Sequence, residues 1–152
     1  MMGKRGRTVV YWILRLGVGA LFLVTGVLKL GDPAAFAQEI HNYQILPELA
    51  PLGAATMPAI EIVLGGALCA APRAWVRASA LGTGALMVMF TAAVSLVLAR
   101  GINISCGCFG AGSGPITMLT VVRDVALCAA CAVIYAMAAP EQPPQAPDTP
   151  RG

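Results

Sequence analysis

Four long apolar runs, residues 9–28, 52–71, 78–99 and 116–138, take up most of this 152-residue chain. Each approaches or exceeds the roughly 20 residues that an α-helix needs to cross about 30 Å of hydrocarbon. Run 78–99 contains no charged residue. A helix built from it has no face suited to water, which argues against a soluble bundle. Run length and the lack of strict alternation exclude the strands of a membrane β-barrel. Charged residues make up 11% of the chain, where a water-soluble domain carries about twice that fraction. The expected fold is an all-α membrane protein, a four-transmembrane-helix bundle over residues 1–138. Residues 139–152 hold five prolines in a small polar set and read as a disordered cytoplasmic tail. The first run is Gly-rich, contains Arg15 and is followed by no small-residue cleavage site, so it reads as a retained span.

Basic residues set the expected orientation. Lys4, Arg5 and Arg7 precede the first run, and Arg73 and Arg77 lie between the second and third. The positive-inside rule places both groups in the cytoplasm, and four spans return the C-terminus there. The expected location is a bacterial inner membrane, with both termini cytoplasmic and the loop after residue 99 facing the periplasm. The net charge of +3 suits contact with anionic membrane lipid. No basic array interleaved with aromatics points to nucleic acid.

Residues 30–51 form the first outer loop. Asp32 followed by Pro33 is a helix-start signal, and Phe36, Ile40 and Tyr43 recur on one face. A short amphipathic helix is expected there, ended by Pro47. His41 is the only histidine. It has no Cys or carboxylate at ligand spacing, so it reads as an interfacial or capping side chain. No metal site or cofactor is expected.

Four charged residues fall inside the runs. Arg15 either snorkels to the near interface or pairs within the bundle. Glu61 lies roughly 10–14 Å into the second run at 1.5 Å per residue. Arg123 and Asp124 lie in the outer half of the fourth. Lone charges at that depth cost several kcal/mol, so Arg123 is expected to pair with Glu61, with Asp124 as alternative or third member. The group is either a clamp between helices or a part of transport or proton handling. Pro58 either kinks the second span or marks its start. Gly17, Gly19, Gly26, Gly65 and Gly66 permit close helix approach.

The chain has five cysteines. Cys106 and Cys108 flank Gly107 in the loop between the third and fourth runs. A disulfide across one residue is strained and reducible, suited to exchange with another thiol protein. A soft cation held by two thiolates and an inert disulfide remain alternatives. Arg100 would favour a thiolate if it folds close. Cys128 and Cys131 share a helix face deep in the fourth run and read as core residues, as does Cys69.

Taken in order, Arg15-Leu16-Gly17, Phe22, Gly26, Lys29-Leu30, Asp32-Pro33, Phe36, Tyr43, Ile45-Leu46-Pro47, Pro58, Glu61 and Gly65 form a recognisable set. Arg100-Gly101, the stretch Cys106–Gly110 and Arg123-Asp124 complete it. The set resembles the MauE-like branch of the DoxX-type membrane proteins, the methylamine utilisation protein MauE family, over nearly all of residues 13–131. The resemblance implies a four-helix inner-membrane protein that helps mature or export the disulfide-rich light subunit of methylamine dehydrogenase. It also implies a thioredoxin-like partner. Carried onto this chain, it makes Cys106 and Cys108 the exchange pair and Arg15, Glu61, Arg123 and Asp124 the polar framework. No fused soluble domain is expected.

Three functions compete. The first is thiol–disulfide chemistry on a periplasmic thioredoxin-like or disulfide-rich partner. The second is a small-solute or electron-carrier membrane protein working through Glu61, Arg123 and Asp124. Four spans leave little room for two inverted halves, so that reading calls for a homodimer or partner. The third is a scaffold without chemistry of its own.

Overall fold

In a computed structural model, which describes residues 3–106 and 114–138, each apolar run folds into one helix. These are α1 (Lys4–Gly31), α3 (Ala50–Ala70), α4 (Arg73–Ala99) and α5 (Met118–Met137). A short α2 (Pro33–Asn42) follows α1 directly, and a single 3-10 turn, Pro47–Leu49, leads into α3. Four helical segments are long and apolar enough to cross a membrane. Cys108 and the expected tail 139–152 lie outside the described residues.

The helix limits follow from local chemistry, with two departures from expectation. At the start of α2, Asp32 Oδ1 accepts a hydrogen bond from the Ala35 N–H at 2.9 Å, and Pro33 occupies the first position. That helix ends at Asn42, before Pro47 is reached. Gln44 adopts φ of 53°, a left-handed conformation that turns the chain. Pro47 therefore starts the next helical turn and does not terminate α2. The α3 helix starts at Ala50 and contains Pro58, so of the two alternatives for this proline the start of the span is not the one observed. The α4 helix begins at Arg73, earlier than its apolar run, because Pro72 is extended at the N-cap. Arg73 and Arg77 thus sit on the first turns of α4, and the connection is Ala71-Pro72 alone.

The helices form a closed ring in which α1 packs chiefly on α3 and α4 chiefly on α5, with α3–α4 and α1–α5 completing it. Apolar attraction between helices is weak in lipid, so close fit decides such packing. Glycine supplies the fit between α1 and α3. A Cβ on Gly65 would lie 2.7 Å from Gly19 O and 2.9 Å from Leu23 N, and one on Gly26 would lie 2.9 Å from Pro58 O. Outward faces carry exposed Val9, Ile13, Val24, Val63, Leu81 and Leu119, as a surface surrounded by acyl chains requires.

Arg15 is buried, and its guanidinium joins α1 to the end of α3. Nε donates to Leu68 O at 2.5 Å and an Nη to Ala71 O at 2.6 Å. These are carbonyls at a helix C-terminus, which lack helical partners and carry negative partial charge. The guanidinium also lies 4.7 Å from the Trp12 ring centre. Of the two expectations for Arg15, pairing inside the bundle is the one observed, through carbonyls. At the same end of the ring Arg77 stacks on Tyr135 at 4.5 Å. The other end carries α2, the 3-10 turn and the loop after α4.

Candidate functional site

The loop after α4 is held by a short antiparallel contact. Gly101, at φ of 68°, turns the chain away from α4. Ser105 bridges Pro115, the Cys106 N–H donates to Gly114 O at 3.1 Å, and the Ile116 N–H donates to Ile104 O at 3.0 Å. Cys106 is thereby fixed over the ends of α4 and α5, buried with Tyr43, Val94, Val97 and Ile116. The Tyr43 hydroxyl donates to the Cys106 carbonyl at 2.5 Å. Tyr43, at the C-terminal cap of α2, thus ties the connection between α1 and α3 to the loop after α4. Burial pushes the Tyr43 phenol up to about 12, with Asp124 and Glu39 adding to the rise and Arg123 opposing it.

Cys106 is disulfide-bonded. Cys69, Cys128 and Cys131 are free. Cys131 is buried in the central core and Cys128 packs against it, with its Sγ 3.9 Å from Thr91 Oγ1. Both take the expected core positions.

Arg123 reaches Cys106. Its Nη2 lies 3.6 Å from the Cys106 Sγ, while Nε and Nη2 hold Asp124 Oδ1 at 3.0 and 2.7 Å. Asp124 is buried and Arg123 half-buried, so the guanidinium bridges the core carboxylate and the loop sulfur. Arg100 is exposed at the C-terminal cap of α4.

The expected Arg123–Glu61 pair is not what forms. Glu61 Oε1 accepts from Lys29 Nζ at 2.5 Å, both side chains being almost fully enclosed. The cause is the fit of α1 on α3. A Cβ on Gly26 would lie 3.3 Å from Glu61 Cβ, and Lys29 follows one turn later on the same face. Lys29 Nζ also lies 4.9 Å from the Phe36 ring centre and 5.0 Å from that of Phe90, so aromatic faces replace part of its hydration. Lys29, Glu61, Arg123 and Asp124 nevertheless line one cavity of about 30 Å³, room for about one water. Glu61 Oε2 and Asp124 Oδ2 are buried without a hydrogen-bond partner among the described residues. Of the expected polar framework, Glu61, Arg123 and Asp124 therefore share a void, with Lys29 as an added member, whereas Arg15 lies at the opposite end of the bundle and Arg100 is exposed.

Lys29, Glu39 and Tyr43 were not expected in the site. For Glu39 and Tyr43 a signal existed. Glu39 is three residues after Phe36 and four before Tyr43, on the same face of α2. Lys29 follows directly on the apolar run 9–28, a position that by itself does not mark a buried partner for Glu61.

The sequence profile described as "Methylamine utilisation protein MauE" matches residues 7–137. A protein of Paracoccus denitrificans named "Methylamine utilization protein MauE" is similar, 32% identical over 123 residues, covering 79% of this chain and 65% of that protein. The matched part thus spans just under two thirds of that relative's length. No solved structure matches.

Proposed function

Because this chain belongs to the MauE family, we propose that it is a membrane protein of methylamine utilisation that exchanges disulfides with a periplasmic partner. The working pair is Cys106 and Cys108. The partner is a thioredoxin-like or disulfide-rich protein, with the light subunit of methylamine dehydrogenase as the candidate the family relationship offers. The observation that carries the reading is a disulfide-bonded Cys106 with the Arg123 guanidinium 3.6 Å from its sulfur. A cation so placed stabilises a thiolate as the S–S bond opens.

A thiolate of the partner attacks one sulfur of the pair. A mixed disulfide forms and the other sulfur leaves as a thiolate. The partner's second thiol then displaces the chain's cysteine. The partner gains a disulfide, and its two electrons and two protons end on Cys106 and Cys108. Asp124 positions Arg123 for this step, and Arg100 adds positive charge at the rim. Lysine and arginine at the end of the bundle with Arg5, Arg7, Arg73 and Arg77 support an inner-membrane orientation with both termini cytoplasmic and the cysteine loop outside.

Trapping tests the reading. Cys106→Ser and Cys108→Ser variants, expressed singly in membranes, are expected to accumulate a mixed disulfide with a periplasmic protein, visible as a reductant-sensitive adduct. No adduct from either variant, with activity retained in the double variant, defeats it. The enclosed Lys29–Glu61 pair and its small cavity favour one second reading, transport or proton handling through Glu61. Loss of activity in Glu61→Gln at unchanged protein level, with the double cysteine variant active, selects that reading.

A further inference from the structure

Beside Cys106 the bundle opens into a cavity of about 420 Å³ between α2, α3 and α4. This is within the range of about 300–1,000 Å³ usual for small-molecule sites. Its wall includes Phe36, Met57, Phe90 and Ala93, with Glu39, Tyr43, Thr56 and Cys106 among the residues that bear polar or redox-active atoms. The rim is apolar and exposed: Ile45, Leu46, Leu49 and Leu52 are each 40–62% accessible. In a chain whose helices cross a bilayer, such an exposed apolar rim suits contact with lipid. An occupant must therefore be lipid-soluble. Glu39 Oε2 is enclosed without a hydrogen-bond partner among the described residues, so an occupant with a polar atom that can hydrogen-bond to this carboxyl is favoured. Burial pushes the Glu39 carboxyl up, with Lys29 opposing, and the acid form can donate to a carbonyl oxygen.

We propose that this cavity binds the ring of an isoprenoid quinone and that the quinone reoxidises the cysteine pair containing Cys106. The inference rests on the thiol–disulfide reading and supplies what that reading lacks, an acceptor for the electrons taken from the partner. The balance closes. Two thiols lose two electrons and two protons as the S–S bond forms, and the quinone's two carbonyl oxygens receive them to give the quinol. The apolar wall holds the ring and first isoprene unit, and Glu39 orients one carbonyl.

The test uses the full chain in phosphatidylcholine nanodiscs, with decylubiquinone and a photoreactive azidoquinone as probes. In one arm the disulfide is opened by a small dithiol without quinone and scored by alkylation. In the other, prereduced protein is mixed with decylubiquinone and quinol formation is followed by ultraviolet absorbance. Gly53→Leu narrows the cavity from α3, where a new side chain would project toward Ile40. Ala93→Leu does so from α4 and serves if the first variant fails to insert. Both are expected to exchange with the dithiol as the unaltered chain does. Both should slow quinol formation by about tenfold or more, as expected for excluding a ring from its pocket, and lose azidoquinone labelling of segments 36–57 and 89–93.

If the unaltered chain exchanges with dithiol but forms no quinol, the quinone proposal falls and the exchange reading stands. Equal azidoquinone labelling in all three proteins has the same consequence. So does labelling by a photoreactive phospholipid that decylubiquinone does not displace, which makes an acyl chain the occupant. If the disulfide never exchanges with the dithiol, the exchange reading and the reoxidation fall together, even where azidoquinone marks the cavity.

Discussion

Lys29 Nζ and Glu61 Oε1 meet at 2.5 Å across the α1–α3 interface, one turn beyond the Gly26 contact with Pro58. Each neutralises the other inside a segment that lipid surrounds. The Lys29 ammonium rests between Phe36 and Phe90, so the pair also ties α2 and α4 to the α1–α3 seam. The remaining Glu61 oxygen is buried without a hydrogen-bond partner among the described residues, and Glu61 lines a void together with Asp124.

Breaking that pair on one side leaves an uncompensated charge in the bundle. Lys29→Met or Glu61→Leu alone is expected to cost about 3–5 kcal/mol, whereas the double variant Lys29→Met/Glu61→Leu regains most of it. Thermal unfolding of the detergent-solubilised protein, as a double-mutant cycle, measures the coupling. Additive losses would show that the two groups do not stabilise one another.

Arg15 gives a different kind of prediction, because its partners are carbonyls and not a carboxylate. Arg15→Lys keeps the charge but cannot span Leu68 O and Ala71 O together. It is expected to lose about 1.5–3 kcal/mol, the contribution of one charged hydrogen bond. Arg15→Met should lose more. Unfolding midpoints of the two variants rank the effect.

Adjacent glycines on α3 separate close approach from helix propensity. Gly65→Ala places a Cβ 2.7 Å from Gly19 O, while Gly66→Ala meets only Leu23 Cδ2 at 3.9 Å. The first is expected to destabilise by about 1–3 kcal/mol through overpacking. The second should be neutral or gain up to about 1 kcal/mol from the better helix former. Comparing the two variants' unfolding midpoints checks the α1–α3 seam.

The cation at the cysteine is tested by rate. Arg123→Gln is expected to slow disulfide exchange by about tenfold or more, equivalent to about 1.5–3 kcal/mol for a lost charged interaction. Arg123→Lys should recover part of the rate. Stopped alkylation against a dithiol peptide measures both. An unchanged rate in Arg123→Gln would assign Arg123 to packing alone.

Tyr43 makes stability depend on pH in the alkaline range. Its phenol titrates at about 12 in the fold against 10.0 ordinarily. Below 10 both states keep the proton. As pH rises from about 10 to 12 the unfolded chain releases it while the folded chain holds it, so stability falls across that window. Tyr43→Phe should remove that part of the slope. Tyrosinate absorbance, compared between the two proteins, locates the titration.

Much of the architecture was legible before any coordinate. Run length and the absence of charge in 78–99 demanded membrane helices, and Asp32-Pro33 with Phe36, Ile40 and Tyr43 marked α2. The ends of α2 and α4 were less legible. Pro47 and Pro72 each bound a helix by their fixed φ, but whether a proline stops one helix or starts the next depends on its neighbours. In the site, the linear order placed Glu61, Arg123 and Asp124 at similar depth and they do share a void. Depth along a helix says nothing about rotation around it, and rotation gave Glu61 to Lys29.

The linear chain by itself determined that four segments cross a bilayer, that charges within them must be satisfied internally, and that a cysteine pair lies in a loop at one end. Those conclusions follow from the cost of polar groups in hydrocarbon, which depends on composition and length. Only the tertiary structure decided which charges meet, because partner choice is set by the glycine contacts that press α1 onto α3. It also decided that Tyr43, 63 residues from Cys106, would hold the loop, and that Arg123 would turn to the sulfur. Contacts between residues so distant along the chain arise from packing, and no local pattern encodes them.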